Sequence, residues 1–512
     1  MTRLYCLLFV LTTVSAVAQK PISPKQIQEF DAYVEHVRQQ WDIPGLAITV
    51  VKDGRVLFAK GYGVRELSGA SVPGTSASGT TPANVGPVDT QTLFACASTT
   101  KAMTVTLLGM LVDAGKLRWD DPVYQYLPEL QFYEPYVTRQ VTIRDLLLHN
   151  TGVGGTDFFT SAMDIPASDM FRRMVLVRPS YSFRSGYVYQ NTMYSAAGRI
   201  IERLTGKTWA ETIQARIFQP LGMTRTVPKR GYIKDDNLTR PHVRINDTIR
   251  VIPYGPDSEI GSAGAVWSSA DDIGKWVICM LDSGKYAGGR LLKPATWTEI
   301  FRPQTMVPDD EYATMQVLKP NWFTYSLGWY QHDYRGHKVN FHTGSLAGLT
   351  AITGQLPDEK LGVFVFGNLD HAEGRHALLY KTLDWFALGG NRDWSSEFKN
   401  LYDGLAVQSR KARQALEARR VANTKTTLPL SAYAGTYTSP LYGEATVTVT
   451  GDRLAFNLNN VLTATLPHWQ YDTFRGSYDK AWNGTAMAQF TLSPAGTVQT
   501  LLFDGLLFQR KL

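Results

Sequence analysis

The chain predicts an α+β fold: an antiparallel sheet flanked by helices, followed by a small antiparallel β-barrel-like domain. Three observations lead there. Before Gly389, strand-like runs stand at both ends (46–51 and 56–59, then 349–355 and 361–366) with helical patterns between them, an order that suits an antiparallel sheet covered by helices. From residue 428 onward come short alternating runs separated by Gly, Asn and Asp turns, the pattern of a small barrel or sandwich. The composition, 44% hydrophobic and 19% charged over 512 residues, is that of a globular chain long enough for more than one domain.

Residues 1–18 read as an export signal. Arg3 supplies a positive charge, 4–14 is mostly apolar, and Ala16-Val17-Ala18 fits the small-x-small cleavage rule. That run is short for a spanning helix, and no later one reaches about 18 uninterrupted apolar residues. The expected organisation is a signal at 1–18, a main domain at 19–393, a helical linker at 394–427 and the β unit at 428–512. The mature protein is expected to be exported, periplasmic or secreted, without a membrane span. Cys6 leaves with the signal, and Cys96 and Cys279 sit in apolar settings that suit buried free thiols. A net charge of +7 is mild for this length. Its basic residues are scattered apart from a cluster at 410–420 that has no interleaved aromatics, which argues against nucleic acid as a partner.

Taken in order, Ser23-Pro24 opens a helix that runs to Trp41. Residues 46–51 and 56–59 form a hairpin through Asp53-Gly54, a type I′ turn signal. Residues 68–87, rich in Gly, Ser, Thr, Pro and Ala, read as a long loop that ends near Ser98. An apolar-periodic helix covers 102–114, and Thr142 to Asp145 caps a short helix at 146–148. Further helices are expected at 193–205, 208–218, after Ser268-Ser269, at 373–388 and, charged, at 395–421. Ser268 with Asp271, or Ser269 with Asp272, offers a capping box. In the last part, strands are expected at 435–437, 445–450, 454–458, 490–492 and 499–503.

The chemistry concentrates in three separated pieces. Ser98-Thr99-Thr100-Lys101 places a hydroxyl and an amine one helical turn apart, close enough for the amine to take the hydroxyl proton. Tyr189-Gln190-Asn191 comes second, and His342-Thr343-Gly344-Ser345 on an extended run comes third. Other mechanisms find no support: the chain lacks a Gly-x-Ser-x-Gly elbow, His-Glu-x-x-His, Cys-x-x-Cys and a Gly-x-x-x-x-Gly-Lys loop. No cofactor and no metal are expected.

The order and spacing of these pieces resembles the serine penicillin-recognising superfamily: class C β-lactamases, DD-peptidases, D-aminopeptidases (peptidase S12-like) and related esterases. The likeness covers about 22–388. It includes Leu146-Leu147-Leu148-His149-Asn150-Thr151-Gly152, similar to the family's helix-then-His-x-x-Gly segment, and Gly261-Ser262-Ala263-Gly264, similar to its glycine turn. The resemblance implies a β-lactamase/transpeptidase-like fold with an all-helical insert, and an accessory β-domain at the C-terminus.

It also implies roles. Ser98 would be the nucleophile, with Lys101 and Tyr189 sharing the work of base. Tyr189 needs a neighbouring cation for that, which Lys101 would supply. Asn191 would hold Lys101 and a substrate amide or carbonyl. The backbone N–H groups of Ser98 and Ser345 would form the oxyanion hole, and Thr343 and Gly344 would line the substrate strand. His342 stands where many relatives carry lysine. A histidine there is only partly charged at neutral pH, which weakens a β-lactamase or DD-carboxypeptidase reading.

The function expected is an exported serine hydrolase that forms an acyl-enzyme on Ser98 and cleaves a small-molecule or short peptide amide, D-aminopeptidase-like. The alternatives are an esterase with the same residues, and a non-enzymatic acyl-binding scaffold. Nothing in the C-terminal residues decides whether that domain caps the cleft, joins subunits into an oligomer or decorates the surface.

Overall fold

The computed structural model describes residues 21–69, 86–161, 163, 165–255 and 261–511. The expected signal at 1–18 and most of the loop expected at 68–87 lie outside them. Eight strands make one antiparallel sheet, in the order Arg55–Gly63, Gly45–Lys52, Leu361–Gly367, Leu349–Leu356, His337–Leu346, Trp329–Tyr334, Phe323–Ser326 and Thr305–Met306. Asp53 and Gly54 both have positive φ, 51° and 76°, as the type I′ turn requires. Three adjacent strands, Gly45–Lys52, Leu349–Leu356 and Leu361–Gly367, are buried at every position. Burial along the whole of a strand arises when both faces of the sheet are covered, and both are. The Ala270–Leu281 helix packs on one face and Gly374–Leu383 on the other, the latter covered in turn by Pro24–Gln40 and Trp394–Ala418.

Beside the first face stands a helical region built on Thr100–Asp113, Ile143–Leu148 and Asn191–Thr205. Its apolar side chains merge with that face of the sheet in a single core that includes Phe94, Met103, Leu107, Ile200 and Phe366. The cleft between this region and the His337–Leu346 strand holds the three sequence motifs.

Several local expectations change. Ser269 caps its helix through Asp272 N–H, but the Asp272 carboxylate turns away to the backbone N–H groups of Arg225 and Thr226, so no reciprocal box forms. The charged helix begins packed on the main domain. Trp394, Ser395 and Phe398 are buried against the sheet-covering helices, while the basic residues from Arg410 onward are exposed. Cys96 and Cys279 are free and buried.

The C-terminal strands close into an eight-stranded antiparallel barrel in sequential order from Gly435–Ser439 to Leu506–Arg510. Closure leaves no exposed edge, and side chains fill the interior, among them Phe456 stacked on Phe503.

Candidate active site

Ser98 is presented by a turn that the surrounding backbone ties down. Phe94 and Ala95 pair with Ser268 and Trp267, and Cys96 N–H donates to Val266 O at 2.8 Å. The chain then turns sharply at Ala97, whose φ is +47°. A non-glycine residue there costs about 1–2 kcal/mol. The Thr99 hydroxyl donates to Cys96 O (2.8 Å), and the Thr100 hydroxyl accepts from Val266 N–H (3.3 Å). The outcome is a half-exposed Ser98 between buried neighbours on both sides, at the start of the buried Thr100–Asp113 helix.

Lys101 is wholly buried on that helix. Its Nζ donates to Ser98 Oγ (3.2 Å), Asn191 Oδ1 (2.7 Å) and Ala263 O (2.9 Å). It also lies 4.7 Å from the centre of the Tyr189 ring and 5.2 Å from that of Tyr194. Burial brings its pKa down to about 7, against an opposing pull from the Asp157 carboxylate. Near neutrality, then, the free amine is accessible within reach of the serine hydroxyl.

Asn191 opens its helix and is fully engaged. Its Oδ1 accepts from Lys101, and its Nδ2 donates to Asp157 Oδ1 at 2.9 Å. Asp157 carries no motif, which is why sequence reading passed over it.

Tyr189 does not behave as the sequence suggested. Burial pushes its pKa well above 10, and the nearby Ser98 hydroxyl opposes this only in part. Lys101 lies 4.7 Å from the ring centre without offsetting this burial, and Tyr189 stays a neutral phenol. Its buried hydroxyl has no hydrogen-bond partner among the described residues. His149 packs against the ring, with centroids 4.4 Å apart, and accepts from Gln190 N–H through Nδ1 at 3.0 Å. Burial holds His149 neutral, helped by the charge of Lys101.

His342 is also different from the partly charged group expected. The Thr343 carbonyl, 2.6 Å from Nδ1, can only accept, so that nitrogen carries the proton and Nε2 accepts from the Tyr325 hydroxyl at 3.0 Å. Burial, reinforced by Lys101, lowers its pKa to about 3. His342 is a neutral, buried imidazole at physiological pH. Tyr325 carries no signal in the sequence, because its short strand reads as a plain polar and aromatic run.

The strand beyond His342 closes on the serine. A Cβ on Gly344 would meet Cys96 O at 2.3 Å, the Ala97 side chain at 3.0 Å and Ser98 N at 3.1 Å. Only glycine lets the strand come this near, and Ser345 follows it exposed at the cleft. The Thr343 hydroxyl is bonded to Tyr312 at 2.5 Å. Behind the strand, buried Arg375 donates through one nitrogen to Gly344 O (2.6 Å), Ser345 Oγ (3.1 Å) and Ala351 O (3.1 Å). Glu373 neutralises Arg375 at 3.2 Å. Burial would raise the Glu373 carboxyl, but the charge of Arg375 and the neighbouring His371 and His376 hold it well below its usual range. Gly344→Ala should push the strand off Ser98 and lower kcat/KM by about 10²-fold, the typical cost of a misplacement near 1 Å. Activity close to that of the parent on a p-nitrophenyl ester would show that the close approach does not matter.

This fold and cleft define the class of β-lactamase and penicillin-binding-protein-like serine hydrolases. The β-lactamase family model matches residues 30–383, and the chain belongs to that family. A second model, for a domain of unknown function (DUF3471), matches residues 419–511. The chain is 26% identical over 518 residues to the unguisins hydrolase ungD of Aspergillus violaceofuscus, covering 92% of this chain and 87% of the relative. It is 28% identical over 328 residues to penicillin-binding protein 4 of Amycolatopsis lactamdurans, covering 63% and 78%. Among solved structures, the octameric penicillin-binding protein homologue from Pyrococcus abyssi superimposes with a TM-score of 0.60 at 20% identity, over 94% of this chain and 99% of that one. That likeness is one of fold.

Proposed function

We propose that the protein is an exported serine hydrolase that acts through an acyl-enzyme on Ser98 and cleaves small amide or peptide substrates, D-aminopeptidase-like. The observation that carries this reading is Lys101 Nζ, 3.2 Å from Ser98 Oγ with its pKa brought down to about 7. An unprotonated Lys101 takes the hydroxyl proton as Ser98 Oγ attacks the substrate carbonyl carbon, and the carbonyl oxygen becomes an oxyanion. The N–H groups of Ser98 and Ser345 receive that charge. The neutral Tyr189 hydroxyl, unpartnered and near Ser98, protonates the leaving nitrogen as the C–N bond breaks, and Lys101 returns a proton to Tyr189. Water, deprotonated by the same pair, then releases the acid. An amide needs this proton donor more than an ester does, because its nitrogen is the poorer leaving group. Asn191 holds Lys101 in place.

The charge around the cleft also supports an amide without a carboxylate beside it. The third motif offers the neutral His342, Arg375 is already paired with Glu373 behind the strand, and the exposed Asp157, bonded to Asn191, adds a negative charge. A β-lactam or C-terminal carboxylate would need a cation there. The relative named for unguisin hydrolysis supports a hydrolytic role and nominates unguisins as assay substrates.

The test is kcat/KM on D- and L-aminoacyl p-nitroanilides beside short p-nitrophenyl esters. Anilide cleavage is expected. Ester turnover with no anilide cleavage would replace the peptidase reading with the esterase one.

The leader at 1–18 is part of this proposal. Among the described residues no helix is long and apolar enough to cross a membrane.

A further inference from the structure

The C-terminal barrel contacts the hydrolase domain at two places. On the helical side, the connection between its strands Gly435–Ser439 and Gly443–Thr450 carries Leu441 and Tyr442 into contact with the core of the hydrolase domain. The Tyr442 ring meets Phe158 edge-on, with centroids 4.9 Å apart and planes at 79°. Arg173 donates to Leu441 O at 2.8 Å. Phe158 belongs to the edge of the barrel's own core as well, so this pair joins the two. On the sheet side, the Ala481–Asn483 turn comes within 8 Å, Cα to Cα, of the His242–Ile245 strand. His242 N–H bonds to Gly348 O at 3.1 Å, in the turn just after Ser345.

Phe158 has Asp157 as its chain neighbour, and Asp157 accepts from Asn191, whose other end holds Lys101. On the preceding residue, the Thr156 hydroxyl bonds to Gln190 Oε1 at 2.6 Å and to the Thr192 hydroxyl at 2.9 Å. A short segment thus runs from the barrel contact directly onto the Tyr189-Gln190-Asn191 motif. We propose that the Leu441-Tyr442 connection of the barrel is a positioning element of the active site, which by seating Phe158 keeps the Asp157 carboxylate on Asn191 and facing Lys101. This rests on the reading of Lys101 as the base for Ser98.

The groups that face Lys101 separate this idea from general support. Ser98, Asn191 and the Ala263 carbonyl bond to it, and Tyr189 and Tyr194 present neutral rings. His149 and His342 are held neutral by burial. Asp157 is the negative charge in this set, and it raises the Lys101 pKa against burial. Moving it away favours the free amine at lower pH.

The test is the pH dependence of Ser98 labelling by an uncharged alkyl fluorophosphonate, on the full chain. The wild-type rate should rise through an acidic limb near pH 7. Asp157→Asn and Tyr442→Ala should both move that limb to lower pH, by about half a unit or more. Tyr442→Phe, which keeps the ring, should restore the wild-type profile, and exposed Leu507→Ser on the barrel should leave it unchanged. Should Tyr442→Ala fail to fold, Arg173→Gln, which removes the bond to Leu441 O, reads the same limb. A Tyr442→Ala or Arg173→Gln chain that labels more slowly with the limb unmoved would overturn the proposal and leave the barrel as a structural support. Wild-type labelling that survives in a Ser98→Ala chain is a different failure, that of the nucleophile itself.

Discussion

Ser98→Ala is expected to abolish fluorophosphonate labelling and to lower kcat on any ester or amide substrate by about 10⁴-fold or more. Removing the nucleophile from an acyl-enzyme mechanism leaves only what substrate positioning and the oxyanion donors contribute, and nucleophile and base act as a unit rather than additively. The fold should tolerate the change. Ser98 is half-exposed, and its turn is held by Cys96, Thr99 and Thr100 through bonds that do not involve the Ser98 side chain. Lys101 loses its 3.2 Å bond to Ser98 Oγ but keeps Asn191 and Ala263. Intact-mass detection of the phosphonylated chain, with a melting curve beside it, is the measurement. A variant that melts as the parent does and still takes up label would place the reactive nucleophile elsewhere.

The parts of the site that could be read from sequence are those fixed by local geometry. Ser98 and Lys101 sit three apart where a helix begins, and the 3.6-residue period alone puts them on one face. The His342 to Ser345 run was legible as an extended segment, because a strand needs only local alternation to be recognised. What could not be read depends on contacts between distant segments. The charge state of His342 is set by its burial beneath Tyr325, seventeen residues away in a strand whose mixed composition resembles a loop. The neutral state of Tyr189 depends on how deeply His149 and Lys101 enclose its ring, and spacing says nothing about enclosure.

The strands missed for the same reason are Phe323–Ser326 and Trp329–Tyr334, the second carrying Gln331, His332 and Asp333 in succession. Those polar groups are tolerated because Gln331 bonds to Phe301 O and Asn340, and His332 to Tyr380. In the barrel, Leu462–Gln470 was hidden by Pro467, a residue that argues against a strand. The structure accommodates it next to an irregular pairing at His468 to Gln470. Asp157 had no signal at all, since its position matters only once Phe158 has docked and Asn191 has turned toward it.

Lys101→Met should reduce turnover by about 10³-fold, within the range a positioned base contributes, and should also change how stability depends on pH. The sign follows from two pKa values. Lysine in the unfolded chain titrates near 10.4, and burial brings Lys101 in the folded protein down to about 7. Between those values the unfolded chain binds more protons than the folded one, so wild-type stability rises with pH across the window and is lowest, with respect to this group, at and below pH 7. Methionine, similar in length and apolar, removes the titration. It also strands Asn191 Oδ1 and Ala263 O, at a cost of about 1–3 kcal/mol for each group left unpaired, but that cost does not vary with pH. The melting temperature of the variant relative to the parent should therefore stand highest at pH 7 and fall as the pH approaches 10. If the difference stays constant across that range, Lys101 titrates in the folded protein as it does in the unfolded chain. It would then be fully protonated at neutral pH, and the proton from Ser98 would need another acceptor.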